Sequence, residues 1–249
     1  MARYDPWSAE LRADPYPTYR AMRDTDPVQH LPSAGLWFLT RYADCVAVLR
    51  DPSFSARHGQ RIRLRRTALP PSMLTADGPE HRRLRGALAP AFGATALRRA
   101  RPGIAALVDD GLRRFTAELR TGRDADLMAG FARPLAGSVL ARTLGLPPAE
   151  ESAFARLGSA VAANLDPVAD PGAAAAAAMD DLLGGFAGHL HARGTDPRDD
   201  ALTVLAAAHA RGTLAADEVL AAAALLVVGG LEPLADLLGN AAAALLAEP

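Results

Sequence analysis

The sequence predicts a mainly α-helical fold with a small β element near its N-terminus. Three observations carry this expectation. Ala-rich segments with helical apolar spacing follow one another from about residue 77 onward, β-branched residues are sparse, and Gly- and Pro-containing joints separate the segments at Leu146-Pro147-Pro148, 166–172 and 194–197. Alanine loses no side-chain entropy on entering a helix, so such runs favour helix before any packing is considered. With 249 residues, 50% of them hydrophobic, the chain can bury a substantial core. No fixed-period repeat and no linker-like composition interrupts it, so residues 1–249 read as a single domain.

Taken in order, Pro15, Pro17 and Pro27 bracket a short helix at 18–23. Two short strands follow at 28–30 and 36–40, around the turn Pro32-Ser33-Ala34-Gly35. Residues 42–49 form a helix with Val46 and Leu49 expected to face inward. The segment 54–73 has no usable period and carries Arg61, Arg63, Arg65 and Arg66; it reads as a long loop. Asp77-Gly78-Pro79-Glu80 reads as a helix start of capping-box type with proline in the first turn, and the helix continues to about 91. Further helices are expected at 96–120, 127–144, 149–164, 173–192, 200–211 and 215–247.

Composition narrows the function. The formal net charge is −1, and all 27 basic residues are arginine, so no global field draws nucleic acid or anionic lipid. The arginines at 61–66 lack interleaved aromatics and read as a solvated loop. One cysteine, Cys45, excludes an internal disulfide and a Cys-rich metal site. His189 and His191 stand two apart, on different sides of a helix, and with His209 read as surface residues rather than metal ligands. Residues 1–14 lack the apolar core of a signal peptide, and the most apolar run, 219–228, is short for a bilayer, so the expectation is a cytoplasmic protein without a membrane or nucleic-acid partner.

Two segments offer chemistry. His81 and Arg85 are four apart on a well-started helix and share a face, an arrangement suited to two carboxylates or phosphates; with Arg82 and Arg83 beside them, a solvated basic face remains the alternative. The second is Gly229-Gly230-Leu231-Glu232-Pro233, set inside the most apolar helix. Each glycine costs about 1 kcal/mol relative to alanine and an interior proline roughly 3. Pro233 has no N–H for the carbonyl of Gly229, so that carbonyl is left for a ligand or water, with the Glu232 carboxylate nearby for proton transfer. A local opening of the helix at this point is the functional expectation, and a core kink with an incidental glutamate the other.

Together these segments resemble the soluble bacterial branch of the cytochrome P450 superfamily, the haem-thiolate monooxygenases. The resemblance rests on Asp14-Pro15-Tyr16-Pro17 with Tyr19, on Trp37 to Asp51 followed by Pro52 and Phe54-Ser55, and on Asp77-Gly78-Pro79-Glu80-His81-Arg82-Arg83-Leu84-Arg85 with Ala91-Phe92. It continues through Leu225 to Glu232, Leu238-Gly239-Asn240 and Glu248-Pro249, which look like the family's central helix. It implies a P450-like helical fold read as far as that helix, with haem as cofactor, a hydrophobic small-molecule substrate, oxygen insertion as the reaction and a ferredoxin-type electron donor. His81 and Arg85 would pair with the haem propionates, Gly229 and Gly230 would lie over the oxygen-binding face, and Glu232 would match the acid of the family's acid–alcohol pair. The loop 54–73 and the helices between 149 and 192 would shape the substrate entrance.

Two departures qualify this. Pro233 occupies the usual threonine position, so protons would come from water, Glu232 or a substrate hydroxyl. No Glu-x-x-Arg pair and no cysteine follows Glu232, and Cys45 does not match the family's thiolate. The expectation is an N-terminal portion of such an enzyme, inactive alone and without the usual thiolate-ligated haem. The competing expectation is a non-catalytic helical remnant or binding protein that exposes an apolar cleft. A helical DNA-binding regulator is a remote third, for want of a basic recognition helix.

Overall fold

The computed structural model describes residues 5–6, 8–32, 35–57, 72–122, 124–162 and 172–247. The Arg61–Arg66 cluster, Ser33-Ala34, most of the 166–172 joint, Asn164 and Glu248-Pro249 lie outside them. Two compact units emerge, 1–62 and 63–249.

The first unit begins with α1 (Ala9–Ala13), a short helix the sequence reading lacked, capped by Ser8, whose Oγ accepts from the Leu11 N–H at 3.2 Å. α2 (Tyr16–Thr25) starts at the Pro15/Pro17 pair, and β1 (Val28–Leu31) and β2 (Leu36–Leu39) form an antiparallel hairpin with His30 opposite Trp37. Those two rings stack at 4.5 Å, a cross-strand pair of the kind that stabilises two-stranded ribbons. Gly35 sits at φ 65°, where a side chain would be strained. Leu11 and Met22 form the small core, packed by Tyr19 and Phe38.

α3 (Tyr42–Arg50) corrects one expectation. Val46 is half-buried, but Leu49 is 85% exposed, and α3 buries no residue fully. The short apolar period marked the side of the helix correctly only in part, because Cys45, Val46 and Val48 share the half-buried face instead.

In the second unit every regular element among the described residues is a helix. α4 (Gly78–Leu88) runs into a 3₁₀ turn at Ala89–Phe92, and α5 (Ala94–Leu119) follows with Pro102 inside it. Asp77 holds the N-cap position in extended conformation but makes no side-chain capping bond, so the Asp77 half of the expected capping box is missing. The segment expected as one helix from 127 begins instead as a π turn, Met128–Ala132, before α6 (Arg133–Leu144). Pro134 lacks the N–H that a regular turn would aim at Gly130, which favours the wider turn there. α7 (Glu151–Ala162), α8 (Gly172–Thr195) and α9 (Ala201–Ala210) complete the shell.

α10 (Ala216–Ala247) is the central element, an unbroken helix of 32 residues against α6, α7, α8 and α9. It does not open or break at Gly229-Gly230 or Pro233, contrary to the expected interruption. Burial keeps it helical through its weak points: Val219, Ala221–Ala224, Val227, Val228, Leu231 and Ala235 all sit in the core. By length and hydropathy α10 could cross a membrane, but half of its most apolar window is buried in this fold, as in a core helix.

A buried ion pair joins three helix ends. Arg193 near the end of α8 donates to Asp200 at 2.7 Å and to the Gly145 carbonyl at 2.6 Å, while Asp200 caps α9 through the Thr203 N–H at 2.7 Å. Gly145 ends α6 at φ 82°, and a side chain there would collide with Asp200.

Candidate functional site

α4 divides its residues by helical period. Leu84, Ala87 and Leu88 are buried, and the polar face carries His81, Arg82, Arg83 and Arg85. Arg83 is spent on structure: its guanidinium bonds Glu218 in the first turn of α10 and the carbonyl of Thr213 at 2.9 Å. His81 and Arg85 are one turn apart, half-buried and exposed respectively. Among the described residues no side-chain hydrogen bond or ion pair engages either one. Two donors on one face without a protein acceptor are free to take a dianionic ligand.

On α10, Gly229, Pro233, Asp236, Leu237 and Asn240 recur at three- and four-residue spacing and form an exposed stripe. A side-chain carbon added at Gly229 would meet nothing within 4 Å, so the backbone is open there. Gly230 differs. It is half-buried, and a Cβ on it would stand 3.2 Å from Leu140, so its smallness serves the packing of α6 on α10. Pro233, one turn after Gly229, leaves the Gly229 carbonyl without its regular helical donor.

Glu232 is half-buried beside the stripe and accepts a hydrogen bond from Ser159 Oγ of α7 at 2.5 Å. Sequence reasoning missed Ser159, because nothing in its local pattern distinguishes it from any helical serine. It also missed Glu218, whose carboxyl is held down to about 2 chiefly by the Arg83 hydrogen bond, aided by the Ala215 N–H and opposed by burial. His189, expected at the surface, is instead half-buried, 2.6 Å from Glu150 and packed near the Phe154 ring. Cys45 lies on α3 with its Sγ 3.5 Å from the Leu39 carbonyl.

Between α6, α7 and α10 a cavity of about 10 Å³ is lined by Leu140, Leu144, Phe154, Val227 and Leu231 among others. That is room for about one water, so an organic ligand is not enclosed at this place.

No family-level sequence profile matches the chain. Curated relatives do. It is 33% identical to vitamin D(3) 25-hydroxylase of Pseudonocardia autotrophica, over 99% of this chain and 61% of that protein. It is also 33% identical to nocardicin C N-oxygenase of Nocardia uniformis subsp. tsuyamanensis, over 93% of this chain and 58% of that protein. The crystal structure of CalO2 superposes with a TM-score of 0.88 at 32% identity, covering all of this chain and 64% of that one. The Bacillus subtilis bacillaene polyketide synthase cytochrome P450 PksS gives 0.84 at 28% identity, covering 98% and 62%. The chain thus spans about three fifths of the length of these proteins. It belongs to the cytochrome P450 superfamily. The mainly helical fold with a small N-terminal β element is the fold expected for that family.

Proposed function

We propose that this chain forms the oxygen-side part of a haem monooxygenase acting on a hydrophobic organic small molecule. The observation that carries the reading is the pair of donor side chains on α4, His81 and Arg85, which share a face and have no protein acceptor among the described residues, while Arg83 between them is ion-paired. A haem presents two carboxylates, so donors of this kind and spacing fit it. When bound, haem would supply the iron at which dioxygen is activated for insertion into the substrate.

The chain's own residues then have distinct roles. His81 and Arg85 anchor the propionates. Gly229 keeps the backbone of α10 accessible on the exposed stripe, and Gly230 lets α6 pack behind it. Glu232 holds a proton donor or water at the site. Pro233 provides no hydroxyl, so a second donor comes from water or from the substrate. Cys45, on α3, donates a hydrogen bond to the Leu39 carbonyl of β2, so we assign no thiolate ligand within these residues, and we read both compact units as parts of one P450 domain, N-terminal in position. A ferredoxin-type protein is the proposed electron donor and the cytoplasm the proposed location.

Haem titration of the 249-residue chain, followed by the Soret band, tests this. The double variant His81→Ala/Arg85→Ala should bind haem at least about tenfold more weakly, from the loss of charge-assisted bonds worth roughly 1.5–3 kcal/mol each. In the reduced, carbon-monoxide-bound state the wild-type chain should lack a thiolate-type Soret band. Equal affinity in the double variant overturns the anchor. No haem uptake by the wild type favours instead a non-catalytic protein that binds through its apolar surface, where Leu237, Leu245 and Leu246 stand exposed.

A further inference from the structure

We propose that Ser159 is a positioning residue for the Glu232 carboxylate, supplied from α7 across the helix pair; this rests on the reading of Glu232 as the acid of the site. Ser159 Oγ donates to Glu232 Oε1 at 2.5 Å across 73 residues of sequence. It is the side-chain donor that engages this carboxylate among the described residues, and the neighbour in sequence, Pro233, has no hydroxyl to offer. A glutamate left with its rotatable bonds unrestrained would sample several positions for its oxygens; one directional, charge-assisted bond selects among them.

The contact is built into the backbone. Gly158 precedes Ser159, and a Cβ at 158 would stand 2.4 Å from Val227 Cγ1, well inside contact distance. Glycine therefore lets α7 approach α10 more closely than any other residue would, and Leu231, the residue before Glu232, lies 3.7 Å from the same point. The adjacent serine is thereby placed within reach of the adjacent glutamate. With Oε1 held by α7, Oε2 is the oxygen available to water or to a hydroxyl on a ligand. A chain with proline at 233 thus orients its acid with a hydroxyl from another helix rather than from its own.

Carbon-13 spectra of the full chain labelled at glutamate carboxyls test the proposal, with the Glu232 resonance identified by its loss in Glu232→Gln. Ser159→Ala should move that resonance, and Ser159→Thr should return it toward the wild-type position. A double-mutant cycle of Ser159→Ala with Glu232→Ala should show coupling on the order of tenfold in the unfolding constant. An unmoved resonance and no coupling overturn the proposal. Should Ser159→Ala not fold, the wild type decides: a slowly exchanging Ser159 hydroxyl proton close to the Glu232 side chain supports the contact, and its absence refutes it. Haem added to the labelled wild type separates the two readings. Broadening of the Glu232 resonance by the iron supports Glu232 as the site's acid; haem uptake without broadening sinks that reading even where the Ser159 effect stands.

Discussion

The Arg83 guanidinium engages both carboxylate oxygens of Glu218, Nη1 to Oε2 at 2.8 Å and Nη2 to Oε1 at 2.5 Å, and so ties α4 to the first turn of α10. The same glutamate accepts from the Ala215 N–H at 2.9 Å, satisfying a donor at the start of α10. One side chain thus caps the central helix and fixes the helix that carries His81 and Arg85. The two elements of the proposed site are linked by this pair.

Stability should depend on pH through Glu218. Its carboxyl is lowered from 4.5 to about 2, with the Arg83 hydrogen bond as the main cause. A depressed carboxylate contributes stability above its unfolded value and loses it as pH falls toward the folded one. The excess stability of wild type over Glu218→Gln should therefore be constant near neutrality, decline below about 4.5 and be gone at about 2. Urea unfolding of both proteins across that range measures it; a difference independent of pH would contradict the assignment.

Asp200→Ala should be severely destabilising. Its side chain and that of Arg193 are 4% and 3% exposed, and the variant leaves a buried guanidinium unpaired while uncapping α9. Breaking such a pair costs about 3–5 kcal/mol. Equilibrium denaturation reads the loss directly, and a cost below 1 kcal/mol would show that solvent reaches Arg193.

Gly158→Ala should cost about 1–3 kcal/mol through overpacking against Val227. Val227→Ala in the same chain should recover part of that loss, because it removes the methyl that the new side chain strikes. Additive effects in the double variant would mean that the helices separate rather than clash.

Pro233→Ala should stabilise the chain, by up to about 3 kcal/mol, by restoring a helical donor to the Gly229 carbonyl. The position is exposed, so no cavity offsets the gain. Amide exchange should show a newly protected N–H at residue 233.

The helices were legible in the sequence where chain chemistry is local. Proline at 15, 17 and 79, the Pro147-Pro148 joint and Asp200 all mark true element ends or caps. The π turn before Arg133 was not, because Pro134 is equally compatible with an ordinary helix start. Nor was Leu49: on so short a helix as α3, an apolar period does not say which flank is covered. Of the residues in the proposed site, His81, Arg85, Gly229 and Glu232 stand out in the sequence through spacing or through their place beside helix-weakening residues. Ser159 and Glu218 did not, since each acts through a partner 73 or 135 residues away, and a one-dimensional pattern carries no information about such pairings.

The continuity of α10 through Pro233 bears on how such a site can change. The ring stands on the open stripe, one turn from Gly229, and the helix on either side is anchored by its buried face. Exchanging residue 233 therefore alters the exposed stripe while leaving the packing of Val228, Leu231 and Ala235 undisturbed. Exchange at this position reaches stability only through the backbone donor to the Gly229 carbonyl and not through core packing, so the side chain there can be revised without repacking the fold.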